Sequence, residues 1–473
     1  MTEWSLAIRN LLRNRRRSLS TLLALAIGLS AVLLFGGFKA NLIYTMLTVY
    51  VRAGGHLQIQ HRDYFLYGSG NPSAYGIADY SRLLAAIRTD AVLQPLIVVA
   101  TPILRFGGLA GNFDAGISRT VIGTGYEAKD FRKMRHWNEF SIPYSLPEFP
   151  LASASENAAI VGIGVARVLQ LCQPLKLADC TSPVQVQLSK HALTAPHQVA
   201  KLPSDIAELA TFEGKSNAGS PAASGARLEL LSGNARGAPN VAGLNVVAAE
   251  DQGFKELDDI SVILHLTQAQ SLVFGRDRPM ITAIMVQLTN TADQLVAAKR
   301  LRELVAAHDA SQLLVVRDVD QLNPYYVQSR ELFDVIFGFI FVLIGAIVLF
   351  TVGNTMNTAV VERTVEIGTL RAIGLRQSGI RRLFIIEGFV LGFVGALSGL
   401  LVALMVGELI NRSGLTWLPP GSSLRLLLQL RVLGDGAAVV GTVLGLILVA
   451  TLSAWWPAWR AAKLTVVEAL RHV

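Results

Sequence analysis

Residues 361–399 read VERTVEIGTLRAIGLRQSGIRRLFIIEGFVLGFVGALSG. The second half of this stretch opens an apolar run, 383–410, and the first half is short, charged and helical in pattern. A bilayer crossing takes roughly 20 mostly apolar residues, so 383–410 reads as a membrane span. Working outward, three more stretches qualify: 19–38, 332–352 and 437–456. Lys39, Asp334, Glu387 and Glu408 lie toward span ends, where long side chains can snorkel to the interface. The expected fold is an α-helical membrane protein with four transmembrane helices and a large α+β extracytoplasmic domain between the first two.

Composition agrees. Of 473 residues, 52% are hydrophobic and 16% charged, with mean hydropathy +0.44; soluble chains carry about 25% charged residues. The formal net charge of +8 sits in short basic runs beside the apolar stretches. That pattern is a topology signal and not a nucleic-acid face. Arg9, Arg13, Arg15, Arg16 and Arg17 precede the first span, and Arg363, Arg371, Arg376, Arg381 and Arg382 lie between the second and third. Arg460, Lys463 and Arg471 follow the fourth. Four spans put all three groups on the cytoplasmic side of a bacterial inner membrane, with both termini inside. The first span has the basic front of a signal peptide, but it is longer than a usual signal core, lacks a clear A-x-A cleavage site before Lys39, and its cleavage would leave an odd number of spans. An uncleaved helix is expected.

The expected order is an amphipathic N-terminal helix (1–18), span 1 (19–48), the outer domain (49–330) and span 2 (331–360). A cytoplasmic segment (361–382), span 3 (383–411), an outer loop (412–436), span 4 (437–459) and a tail (460–473) complete it. Within the outer loop, Trp417, Pro419 and Pro420 read as an interfacial turn.

In the outer domain, 281–288 reads as a strand, 291–308 as an amphipathic helix and 312–316 as a strand. The helix carries Leu295, Ala298, Leu301, Leu304 and Val305 opposite Lys299, Arg300 and Arg302. An earlier counterpart has strand 56–60, helix 80–88 and strand 96–104. The two halves suggest one split β-α-β subdomain, interrupted by a strand-rich insertion at 107–279. Strands are expected there at 120–122, 159–161, 184–188, 226–231 and 261–264, with a Gly/Ser/Ala-rich loop at 214–225. Cys172 and Cys180, the two cysteines of the chain, could close a short disulfide loop in an oxidising compartment; two free half-buried thiols are the other reading.

Catalytic motifs fail on their spacing. Gly214-Lys215-Ser216 has Leu209 where a phosphate-binding loop needs glycine. Gly162 and Gly164 lack the third glycine and the later acid of a dinucleotide turn, so a strand-to-helix turn is the better reading. His56 and His61 are five apart on a strand and point to opposite faces. No metal, cofactor or catalytic site is expected in this chain.

The segment that carries function is 361–376. Ile367, Leu370 and Ile373 make an apolar edge beside Glu366, Arg371 and Arg376, a pattern suited to lying on a membrane or docking into a partner's groove. Here the chain resembles the FtsX-like/MacB-type permeases of ABC transporters, and within them the lipoprotein-releasing permeases. The resemblance is carried by Glu362-Arg363-Thr364-Val365-Glu366-Ile367-Gly368-Thr369-Leu370-Arg371-Ala372-Ile373-Gly374, similar to that family's coupling helix. It returns in Ala7 through Ser18, in Pro457 through Lys463 and in Glu468 through Arg471, while Gly54-Gly55-His56-Leu57-Gln58-Ile59 is like the lipoprotein-releasing branch.

The resemblance implies a non-catalytic subunit. Glu362, Arg363, Glu366, Ile367, Leu370, Arg371, Ile373 and Gly374 would couple it to a separate ABC-type ATPase that holds ATP and Mg. It also implies a second permease protomer, identical or homologous, and a periplasmic substrate or adaptor protein. The substrate would be a lipoprotein or another lipid-anchored or amphipathic molecule. An FtsX-like regulator of a cell-wall hydrolase is the alternative, and an ATP-independent scaffold a third. Gly388, Gly392, Gly395 and Gly399 on span 3, with Gly441 and Gly445 on span 4, have the spacing that lets membrane helices approach closely.

Overall fold

The computed structural model describes residues 3–68, 71–113, 115–143, 147–177, 226–233, 238–308, 313–418 and 425–465. It divides into two compact units: one of 1–47, 323–417 and 426–473, the other of 48–322 and 418–425.

The first unit is helical. A short N-terminal helix, Glu3–Arg13, leads into span 1, Arg15–Gly54, whose residues from Thr48 on are counted with the second unit. Spans 2 and 3 are Pro324–Glu362 and Gln377–Arg412, separated by a short helix, Thr364–Ala372. Span 4 is Gly436–Ser453, continued by Trp455–Lys463. Among the described residues four helices are thus long and apolar enough to cross a membrane; spans 1 to 3 outrun their apolar sequence windows at both ends, where charged and polar turns extend them, and span 4 continues through Trp455–Lys463.

The bundle core is built from Leu25, Leu29, Val352, Phe384, Leu391 and Ala450, among others. Close approach comes from span 3. A Cβ on Gly388 would meet Ala454 Cβ at 2.5 Å and one on Gly392 would meet Ala450 Cβ at 2.8 Å, both on span 4. A Cβ on Gly395 would meet Leu25 Cβ at 2.7 Å, and one on Gly399 the Ala26 carbonyl oxygen at 2.8 Å, both on span 1. Gly445 lies against Phe341, whereas Gly441 faces no atom within 4 Å and does not serve as a packing position. Between spans 1 and 2, the Thr21 and Thr355 hydroxyls hydrogen-bond at 2.8 Å, a contact that replaces water in an apolar setting. Trp417 sits in a two-residue ladder with Leu426 and its ring lies 5.5 Å from that of Phe38; Pro419 and Pro420 lie outside the described residues.

Among the described residues the second unit is an α+β domain around one mixed sheet of nine strands. They are β1 Leu57–His61, β2 Ile97–Asn112, β3 Ile117–Tyr126, β4 Ala158–Gly162, β5 Ala226–Gly233, β6 Pro239–Glu250, β7 Ser261–His265, β8 Ala283–Leu288 and β9 Leu314–Asp318. Their order is β3-β7-β4-β6-β5-β2-β8-β1-β9. Helices α1 Tyr80–Thr89, α2 Ala128–Arg135, α3 Ile163–Val168, α4 Leu266–Phe274 and α5 Gln294–His308 accompany it.

The split subdomain is visible as β2-β8-β1-β9, all antiparallel, with α1 and α5. Arg300 of α5 ties to Asp90 at the end of α1, donating at 2.8 Å. The expected boundary at 107 falls inside β2. This strand pairs with β8 through Ile103 and with β5 from Leu109, and runs along β3 from Ile103 to Asn112. The insertion therefore shares a strand with the subdomain it interrupts. In α5 the buried residues are Ala297, Ala298, Leu301 and Val305, while Leu295 is 83% exposed; the helix begins at Gln294 and its inward face is offset from the expected one. Strand β6 has no counterpart in the expected set. Expected strand 184–188, the 214–225 loop and Cys180 lie outside the described residues, so the Cys172–Cys180 bridge does as well.

The start of β1 is held tightly. Gly55 ends the long helix with φ +76°, where a Cβ would meet the Val286 carbonyl oxygen at 2.7 Å; glycine fits such a left-handed cap without penalty. The buried His56 ring follows. Leu288 N–H donates to its Nδ1 at 3.0 Å, which puts the proton on Nε2, 3.2 Å from Thr291 Oγ1. Burial lowers the His56 pKa to about 4, so the ring is neutral. His61 instead packs beside Tyr75, with ring centroids 5.4 Å apart. The two histidines do not form a pair. Gly162 and Gly164 straddle the junction of β4 and α3, a strand-to-helix turn.

Candidate coupling site

The 361–376 segment lies at the end of the bundle where spans 2 and 3 are joined. Span 2 ends at Glu362, and Arg363 caps the short helix Thr364–Ala372. Gly374 then turns the chain with φ +104°, its N–H donating to the Arg371 carbonyl at 3.0 Å. A residue with a side chain would be strained there. Arg376 caps span 3.

The acidic residues of this segment are met by arginines from the far end of the sequence. Arg13 donates to both carboxylate oxygens of Glu366, at 2.6 and 2.8 Å. Arg17 forms an ion pair with Glu362. Both partners of each set are four residues apart, so two charges on one chain segment meet two on the other. These pairs are largely exposed and contribute little to stability singly; their geometry fixes the N-terminal helix beside the short helix.

The third pair is buried. Arg363 Nη1 donates to Glu387 Oε1 at 3.0 Å, with both side chains 7% exposed or less. Asn10 Nδ2 donates to the same Glu387 oxygen at 2.7 Å, and Arg363 Nη2 donates to the Asn10 carbonyl at 2.9 Å. One carboxylate on span 3 thus holds span 2's last turn and the N-terminal helix together. A charge buried in this way requires its partner and its hydrogen bonds. Three arginines face three glutamates in this cluster, so it is internally neutral.

The apolar edge expected of Ile367, Leu370 and Ile373 is divided. Ile367 is buried in the bundle core, Leu370 is half-buried, and Ile373 is 80% exposed beside the exposed Leu375 and Arg376. Arg371 donates to the Leu464 carbonyl, which ties the short helix to the end of span 4's continuation. Glu362, Arg363, Glu366 and Ile367 therefore act within the chain, while Ile373 and Gly374 project from it. Sequence reading missed the partners Asn10, Arg13, Arg17 and Glu387. The matched four-residue spacing of Arg13/Arg17 and Glu362/Glu366 was the signal that could have found two of them.

Among the described residues no cluster of three or more His, Cys, Asp or Glu side chains is placed to hold a metal ion. The tail 466–473, with Glu468 and Arg471, lies outside the described residues.

Residues 335–466 match the sequence model of the FtsX-like permease C-terminal family. Among similar proteins, the macrolide export ATP-binding/permease protein MacB of Psychrobacter cryohalolentis is 25% identical over 228 residues, 48% of this chain and 32% of that protein. The lipoprotein-releasing system transmembrane protein LolC of Neisseria meningitidis serogroup B is 26% identical over 252 residues, 50% of this chain and 56% of that protein. The ABC transporter permease YtrF of Bacillus subtilis is 38% identical over 100 residues, 19% of this chain and 23% of that protein. The matches thus span from 23% to 56% of these relatives' own lengths. The family match takes in most of span 2, the segment after it and spans 3 and 4, in agreement with the sequence's resemblance to the FtsX-like, MacB-type permeases.

Proposed function

We propose that this chain is the transmembrane permease subunit of an ABC complex in a bacterial inner membrane, its termini and the 361–382 segment facing the cytoplasm. A separate ATPase, holding ATP and Mg, grips the tip formed by Leu370, Arg371, Ile373 and Gly374. Glu362, Arg363, Glu366 and Ile367 keep that tip rigidly attached to the spans, so a push on it is passed to span ends and not absorbed by a loop. The observation that carries this reading is the exposed apolar Ile373 on a short helix whose own charges are already satisfied within the chain. An exposed large apolar residue beside cations suits a protein groove better than open solvent.

The outer domain then does mechanical work on a lipoprotein or other lipid-anchored or amphipathic molecule, delivered directly or by a periplasmic adaptor. A second permease protomer completes the assembly. The relatives' names, macrolide export for MacB and lipoprotein release for LolC, support an exported amphipathic substrate without choosing between them.

Gentle solubilisation followed by mass spectrometry of the intact particle tests the assignment. The expected result is a stoichiometric ATPase, with a bound acylated protein favouring extraction and its absence favouring control of a hydrolase. Glu366→Lys and Gly374→Pro are expected to insert normally yet uncouple ATP hydrolysis from function. A particle with no ATPase, or coupling retained in both variants, overturns the docking assignment.

A further inference from the structure

At the opposite end of the bundle a cavity of about 260 Å³ lies among span 1, the first turns of span 2 and the segment leading into span 4. All of its lining belongs to the helical unit. It has two kinds of wall. Val32, Leu33, Ile43, Phe337 and Val439 give it an apolar floor, and Lys39, Arg330, Arg431, Asp334 and Asp435 give it a charged rim. Three cations and two carboxylates share this rim.

The rim is held in place before any ligand arrives. Lys39 forms an ion pair with Asp334, and its ammonium lies 5.3 Å from the centre of the Phe337 ring. Arg431 Nε donates to Asn41 Oδ1 at 3.2 Å, and its backbone N–H donates to the Gly37 carbonyl at 3.1 Å. Gly37 makes that approach possible, since a Cβ there would meet Val432 N at 2.9 Å. Asp435 accepts from Ala438 N at 3.0 Å, capping span 4, and Tyr44 Oη donates to the Gly434 carbonyl at 3.1 Å. The 431–435 segment is thereby pinned to span 1.

Cations at the level where the apolar stretches 19–38 and 332–352 give way to polar sequence, beside an apolar floor, match the headgroup and acyl chain of a phospholipid. A free anion would leave the floor unused, and a wholly apolar ligand would leave the rim unmatched. We propose that this cavity binds an anionic phospholipid of the surrounding bilayer, its phosphodiester against Lys39, Arg330 and Arg431 and the start of one acyl chain on the floor. Charge-assisted bonds to phosphate provide the orientation, and burial of methylenes provides the hold. The inference rests on reading these helices as membrane spans and is independent of the ATPase assignment.

Native mass spectrometry of the full chain, released from micelles containing either phosphatidylglycerol or phosphatidylcholine, tests it. One phosphatidylglycerol per chain is expected to be retained, roughly tenfold better than phosphatidylcholine, which offers the same phosphodiester but sets its choline cation against Lys39, Arg330 and Arg431. Lys39→Gln with Arg431→Gln should erase that preference, and Ala40→Phe, which fills the cavity, should abolish retention of both lipids. Arg412→Gln, outside the cavity, should change nothing. Equal retention of the two lipids, undiminished retention in Ala40→Phe, or displacement by inorganic phosphate overturns the proposal. Thermal melting of each charge variant is measured alongside, and Ala40→Phe decides the matter where they do not fold. A particle without an ATPase leaves this binding untouched, so the two readings fail separately.

Discussion

Spans 2 and 3 are both long, apolar and close in sequence, yet they are built for different neighbours. In span 3, 33% of the most apolar window is buried inside the chain; in span 2 only 11% is. Gly388, Gly392, Gly395 and Gly399 fall on one helical face, and that face lies flush against spans 1 and 4. On span 2, Val335, Phe339, Val342 and Phe350 also share a face, and each is between 67% and 70% exposed. Hydrophobicity alone says only that a helix tolerates lipid. Which helix packs within its own chain is written in side-chain size, since small residues admit a neighbouring backbone and bulky ones meet lipid or a second protomer.

Three experiments would break or sharpen this contrast. The largest effect is expected where span 3 carries charge. Glu387→Ala strands Arg363 and Asn10, and losing one member of a buried pair costs about 3–5 kcal/mol. Thermal unfolding of the purified chain reads it, and the double change Glu387→Leu with Arg363→Met should recover most of the loss. A smaller effect follows from Gly399→Leu. Its side chain must enter the Ala26 backbone and Leu29, and overpacking of this kind costs about 1–3 kcal/mol. On span 2, Val335→Ala and Phe339→Ala should leave the isolated chain within about 0.5 kcal/mol of the parent. Cross-linking between copies in the membrane should fall instead, if that face meets a second protomer. A large stability loss in the span 2 variants would show that the two spans are not specialised as described.

The four spans were legible because apolar length is a one-dimensional property, and the glycine face because helical spacing is too. The strand, helix and strand expected at 281–288, 291–308 and 312–316 correspond to β8, α5 and β9, because the helical spacing of apolar residues between two short apolar runs is a local pattern. Strand β6 escaped because only Ala242, Leu244 and Val246 of its residues are buried, and the Asn240, Gly243 and Asn245 among them are residue types depleted in strands. Leu295 misled for the opposite reason, since an apolar residue in the first turn of an amphipathic helix fits the pattern whether or not it faces the core. The ion-pair cluster around Glu362, Glu366 and Glu387 was legible only on one side. Glu362, Glu366 and Arg363 could be singled out, but Arg13 and Arg17 are some 350 residues away, and their run of arginines reads first as topology. Pairings across such separations are set by the packed bundle.

Strand β2 has a consequence for anyone dissecting the α+β unit. Because its first residues pair with β8 and its last with β5 and β3, residues 107–279 cannot be lifted out as a cassette. Excision would cut a continuous ribbon and bare the edge of the sheet at β8, an invitation to aggregate. Swaps between relatives that aim to exchange substrate preference should place their junctions before Ile97 and after Leu288, carrying the shared strand with its partner.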